Sequence, residues 1–142
     1  MFGTLFPGIQ HLQNIHPLFV HFPIAFLMGA SLFLILHFLF QNPSLETTSF
    51  YLLILGAISS PFAIATGLFT WWINYQLKLS HLIRKKMELS VLLLLFEIVL
   101  ILWRSINPEI SSPIYLIMML ILVPIVSLLG YYGGQMTFPP EK

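Results

Sequence analysis

Two histidines near the start of the chain, in the run Asn14-Ile15-His16-Pro17-Leu18-Phe19-Val20-His21-Phe22-Pro23-Ile24-Ala25, are the residues best suited by type and setting to do chemistry. A neutral imidazole can ligate a metal or haem iron, or hydrogen-bond a backbone carbonyl that has lost its partner. Pro17 fits a first helical turn, where a missing N–H costs nothing, whereas Pro23 lies deeper and frees the carbonyl of Phe19. His21 is therefore an ionisable group about one turn inside an apolar segment, beside an opened backbone, and such a residue is a functional hypothesis by default. At ~100° per residue it shares a helix face with Ala25, Met28 and Leu32, with Gly29 at the edge, so it is expected to look inward. His16 stands about 140° away around the same helix, so one ion shared by both needs help from the irregular start of the segment. Met87 offers a soft thioether at a similar depth, either as an axial ligand or as apolar filler. His21, His16 and Met87 are accordingly the candidate cofactor residues, and His21 and His16 the candidate metal ligands. The alternative for the histidines is a hydrogen bond to a freed carbonyl and nothing more.

Glu97 is the second polar signal. Ser90, Glu97 and Arg104 recur every seven residues and lie on nearly one helix face. Bare ionisation at the membrane midplane is costly, so Glu97 is either a structural hydrogen-bonding acid or part of a proton path. It falls ~10 Å beyond His21 along the axis, too far for a direct pair. Arg104 is expected to snorkel outward. His37 reads as an interface residue about 160° from His21, and His11 and His81 as residues of exposed segments.

The elements that must position these residues follow from composition. Of 142 residues 58% are hydrophobic and 8% charged, too few charges to cover so much apolar surface in water, so the solvent is a bilayer. A net charge of +1 leaves no basic face for nucleic acid, and the lack of cysteine removes disulfides, iron–sulfur ligation and c-type haem attachment. Apolar stretches at 17–40, 50–74, 89–104 and 113–132 are each near the ~20 residues that cross ~30 Å of hydrocarbon as a helix. Lipid offers no partner for backbone N–H and C=O groups, and the stretches lack barrel alternation, so the fold class is all-α. The short links at 41–49, 75–87 and 105–112 predict a four-helix transmembrane bundle of antiparallel sequential neighbours in one domain over 1–142. The third helix is expected to be short and upright. Gly56, Ser60, Ala63 and Gly67 form small-xxx-small pairs, so the first two helices should touch closely.

Lys78, Arg84, Lys85 and Lys86 sit between the second and third segments and Arg104 alone between the third and fourth, which places the former link, and both termini, in the cytoplasm. Trp71-Trp72 and Tyr131-Tyr132 then form an aromatic belt at that face. The first 16 residues carry no Lys or Arg, so no signal peptide is expected.

The His-Pro-Leu-Phe-Val-His-Phe-Pro-Ile-Ala block from His16, Ala65-Thr66-Gly67-Leu68, and Gly130-Tyr131-Tyr132-Gly133-Gly134-Gln135 together resemble the bacterial membrane family catalogued as domain of unknown function 2231. The resemblance implies a small four-helix protein of the bacterial inner membrane, sometimes found beside or fused to cytochrome-like domains. It also implies a histidine at the start of the third helix, where this chain reads Arg84-Lys85-Lys86-Met87-Glu88.

The reading that follows is a membrane electron-transfer subunit holding haem b or a quinone near the cytoplasmic helix ends. Its expected partners are the lipid bilayer, other membrane or cytochrome subunits and further copies of itself. A cofactor-free structural subunit of a larger membrane complex is the alternative, and a transporter or proton channel the third. No nucleophile–base pair or phosphate loop points to an enzyme in its own right.

Overall fold

The computed structural model of the protein describes residues 15–107 and 112–137, so His11, Pro108 and Ser111 lie outside the described residues. Four helices account for nearly all of it: α1 (Ile15–Phe40), α2 (Pro43–Tyr75), α3 (His81–Ile106) and α4 (Pro113–Thr137). All four are long and apolar enough to cross a membrane. α1, α2 and α4 run unbroken through Pro23, Pro61 and Pro124.

Two helices start earlier than hydropathy alone indicates, because capping, and not apolarity, sets their first turns. Asn42 accepts the N–H of Ser44 at 3.0 Å with Pro43 in the first turn, so α2 begins at 43 instead of 50. Thr47 and Thr48 return their hydroxyls to the carbonyls of Pro43 and Ser44, which lets polar residues sit within the helix. Ser80 accepts the N–H of Ile83 at 3.3 Å, so α3 begins at 81 instead of 89. The third helix is thus 26 residues long and is not the short helix expected. The run Arg84-Lys85-Lys86 stands on its opening turns and not in a loop.

The helices close a ring in which α1 packs on α2, α2 on α3, α3 on α4 and α4 on α1. His16 lies by Gly67 and Leu27 by Gly56, while Ser60 meets Glu97 and Glu46 meets Arg104, the pairing of antiparallel neighbours. A Cβ on Gly56 would fall 2.6 Å from Leu27 Cδ2, so the α1–α2 contact requires glycine there. Ser49 and Ser31 tie helices together by donating to the carbonyls of Ala30 (2.7 Å) and Met119 (3.1 Å). The core is built on Leu27, Ala30, Leu34, Leu53, Leu100, Met119 and Leu122.

Two side-chain orientations differ from expectation. The buried stripe of α1 is Pro23, Leu27, Ala30, Ser31 and Leu34, which turns His21, Ala25, Met28 and Leu32 outward. Because α1 is apolar all round, no polar face was there to fix its rotation. Arg104 does not snorkel either. Its guanidinium grips Glu46 through two bonds of 2.5 and 2.9 Å and lies 5.2 Å from the Phe50 ring centre, with Arg and Glu side chains 17% and 11% exposed. Two oxygens and two N–H groups held in one plane make this a bidentate clamp between α2 and α3.

Candidate functional site

A cavity of about 470 Å³ opens among all four helices at the end of the bundle that carries the 76–80 connection. Its walls are mainly apolar, from Val20, Ile24, Ile64, Leu93, Val126 and Leu129, with polar groups concentrated at two levels. The outer level joins three helices. Lys86 Nζ lies 3.1 Å from His16 Nε2, and His16 Nδ1 lies 3.0 Å from Thr66 Oγ1. An ammonium can only donate, so Nε2 accepts and Nδ1 carries the ring proton, which it donates to Thr66. The Thr66 hydroxyl then donates to the Ala63 carbonyl at 3.0 Å. Every hydrogen in this chain has one direction, from α3 through α1 to the backbone of α2.

Local sequence explains the arrangement. Gly67 gives His16 its room, since a Cβ there would sit 3.1 Å from the imidazole Cε1. Gly133 of α4 lies beside Lys86, where a Cβ would meet Nζ at an ordinary contact distance of 3.6 Å. Trp71 lines the cavity and donates Nε1–H to the Lys78 carbonyl at 3.0 Å, pinning the connection at the mouth. Trp72 and Tyr131, at the same end of the bundle, are exposed.

The inner level is Ser60, six residues beyond Thr66 on α2 and so ~9 Å deeper. Ser60 lines the cavity and lies 2.8 Å from Glu97 Oε1. Glu97 is fully buried, and its second oxygen, Oε2, has no hydrogen-bond partner among the described residues.

Of the residues singled out in sequence, His16 and Met87 line this cavity and Glu97 stands behind its floor. His21 does not line it. Its ring is exposed and Nδ1–H donates to the Pro17 carbonyl one turn back, so the expected inward orientation is corrected. The carbonyl it satisfies is not that of Phe19, and His16 and His21 do not converge. His37 likewise bonds locally, donating Nδ1–H to the Asn42 carbonyl at 2.9 Å. Sequence reasoning missed Lys86, Thr66, Ser60 and Trp71. Lys86 could have been found, because it precedes Ser90 by four residues and so shares the Ser90–Glu97–Arg104 face once the helix is extended back to Ser80.

Comparison with known proteins agrees with the membrane-spanning architecture. No curated protein and no solved structure matches the chain. The model of the family described as "Predicted membrane protein (DUF2231)" matches residues 12–139, nearly its whole length, and the chain belongs to that family.

Proposed function

We propose that this protein is the membrane subunit of an electron-transfer system and binds a quinone-type carrier in the four-helix cavity, with its head group at the Lys86–His16 level. The observation that carries the reading is an apolar chamber of about 470 Å³ with a cation-bearing hydrogen-bond chain at its mouth. That volume lies within the range of small-molecule sites, where mostly apolar walls and a few polar groups fix orientation. A quinone carbonyl is an acceptor, and an ammonium with three N–H donors spends one on His16. Haem b suits the same chamber less well. An axial imidazole must offer iron a free nitrogen and tie the other to an acceptor. His16 Nδ1 has such an acceptor in Thr66, but Nε2 faces the Lys86 ammonium, which would have to leave. Met87 as an axial ligand shares that difficulty, because it needs His16 as its partner.

The site belongs, on this reading, to the cytoplasmic side of a bacterial inner membrane, since Lys78, Arg84, Lys85 and Lys86 cluster at that end. A structural subunit without cofactor is the second reading, and the Lys86–His16–Thr66–Ala63 chain, in which protein groups bond one another without a ligand, supports it.

Binding of a short-tailed benzoquinone to the purified protein in detergent decides between them. Lys86→Met removes a charge-assisted hydrogen bond worth roughly 1.5–3 kcal/mol, so affinity should fall about 10- to 100-fold. A parent that does not bind, or a Lys86→Met variant that binds equally well, overturns the quinone reading. A parent purified with a Soret band restores haem in its place.

A further inference from the structure

Resting on the quinone reading, we infer that the Ser60–Glu97 pair is a second head-group contact whose hydrogen-bond polarity reverses with the proton on Glu97, coupling the carrier's oxidation level to that proton. Ser60 is the residue both exposed to the cavity and bonded to Glu97, at 2.8 Å. Its hydroxyl has a single hydrogen. When Glu97 is a carboxylate, that hydrogen goes to Oε1 and Ser60 offers the cavity only lone pairs. The inner end of the ligand must then donate, as the O–H of a hydroquinone does. When Glu97 is an acid it donates to Ser60, which frees the serine hydrogen for the cavity. The inner end must then accept, as a quinone carbonyl does. The spacing suits a ring polar at both ends, since Ser60 lies ~9 Å along the axis from the Thr66 level.

Nothing else in the described residues commits Glu97 to one state. Oε2 has no partner, and Ser60 is its one hydrogen-bonding neighbour. The ionisable groups on the surrounding helices are spoken for elsewhere. On α1 and α3, His16 and Lys86 bond each other, His21 is turned outward and His37 bonds Asn42. On α2 and α3, Glu46 and Arg104 pair at the opposite end, with Tyr115 of α4 buried near them. Between Glu97 and that end stand Leu34, Leu53, Leu100 and Leu122, each with 0% exposure. Glu97 therefore exchanges its proton with the cavity and not across the membrane.

The test measures affinities of a short-tailed benzoquinone and its hydroquinone for the detergent-solubilised protein, at several pH values below the hydroquinone's own ionisation. In the parent the ratio of the two affinities should change by up to about tenfold per pH unit while Glu97 titrates, as one-proton linkage requires. In Glu97→Gln, which keeps shape but cannot titrate, the ratio should be flat. In Ser60→Ala, which keeps the acid but removes the bridge, it should be flat as well. A flat ratio in the parent, or a slope that survives in either variant, overturns the inference, and Lys86-dependent binding then leaves the quinone reading standing. Failure of both carrier forms to bind the parent overturns the two together.

Discussion

Replacing Gly56 with Ala tests the contact on which the cavity is hung. The added Cβ would meet Leu27 Cδ2 at 2.6 Å and Cγ at 2.9 Å, and Leu27 is 1% exposed, with no empty side to turn toward. Carbon atoms rest roughly 3.5–4.0 Å apart, so α1 and α2 must separate by nearly 1 Å or Leu27 must leave its rotamer. Overpacking of this kind costs about 1–3 kcal/mol. The matched control is Gly130→Ala on α4, where the new Cβ has nothing within 4 Å. Alanine is the better helix former by up to ~1 kcal/mol, so that substitution should be neutral or mildly stabilising. Reversible unfolding in mixed detergent micelles, with the two variants and the parent in parallel, gives the difference directly. Equal stability of Gly56→Ala and Gly130→Ala would refute the close α1–α2 packing and the placement of His16 against Gly67 that depends on it.

Three further outcomes follow from the same geometry. Arg104→Met should destabilise the bundle by roughly 3–5 kcal/mol by leaving Glu46 buried and unpaired, and adding Glu46→Leu should recover most of the loss. A single substitution without effect would mean the clamp does not form. His21→Ala should leave stability and quinone affinity within about 0.5 kcal/mol of the parent, as expected of an exposed site, and a larger loss would restore His21 to the site. For orientation, a cysteine at Ser80 should be shielded from an impermeant thiol reagent outside the cell and one at Ser111 labelled. The reverse pattern would move the cavity to the outer face.

The gross architecture was legible because bilayer physics leaves few choices. Four apolar stretches of sufficient length have to be helices, and links this brief have to join neighbours. The face made by Gly56, Ser60, Ala63 and Gly67 was legible too, since small residues at four-residue spacing signal close approach, and Gly56 and Gly67 do meet α1. What sequence could not supply was the rotation of α1. In water a polar stripe marks the outside of a helix, but both lipid and core accept Leu, Phe and Ile, so α1 carries almost no such mark. Gly29 reads as an inward sign, yet it only flanks the true seam, where a Cβ would lie 3.3 Å from Leu52. The expected and observed inward faces of α1 differ by about 140°, the same angle that separates His21 from His16, so one is exchanged for the other.

Lys86 shows the complementary failure. A run of three basic residues reads as a solvated connection, and a hydropathy window ends a helix where charge begins. The Ser80 cap overrides that boundary and carries α3 back by two turns, which brings Lys86, the last residue of the run, onto the same face as Ser90 and Glu97. Once there, its long apolar stem can lie along the bundle while its ammonium reaches an acceptor. Arg84 and Lys85, two residues and one residue earlier, remain exposed. Among the described residues Arg84 makes the local pair with Glu88, at 2.8 Å, a contact of the kind worth roughly 0.3–0.5 kcal/mol at a surface. Three adjacent cations thus have different roles, and helix phase alone separates the one that turns inward to His16 from the two that face outward.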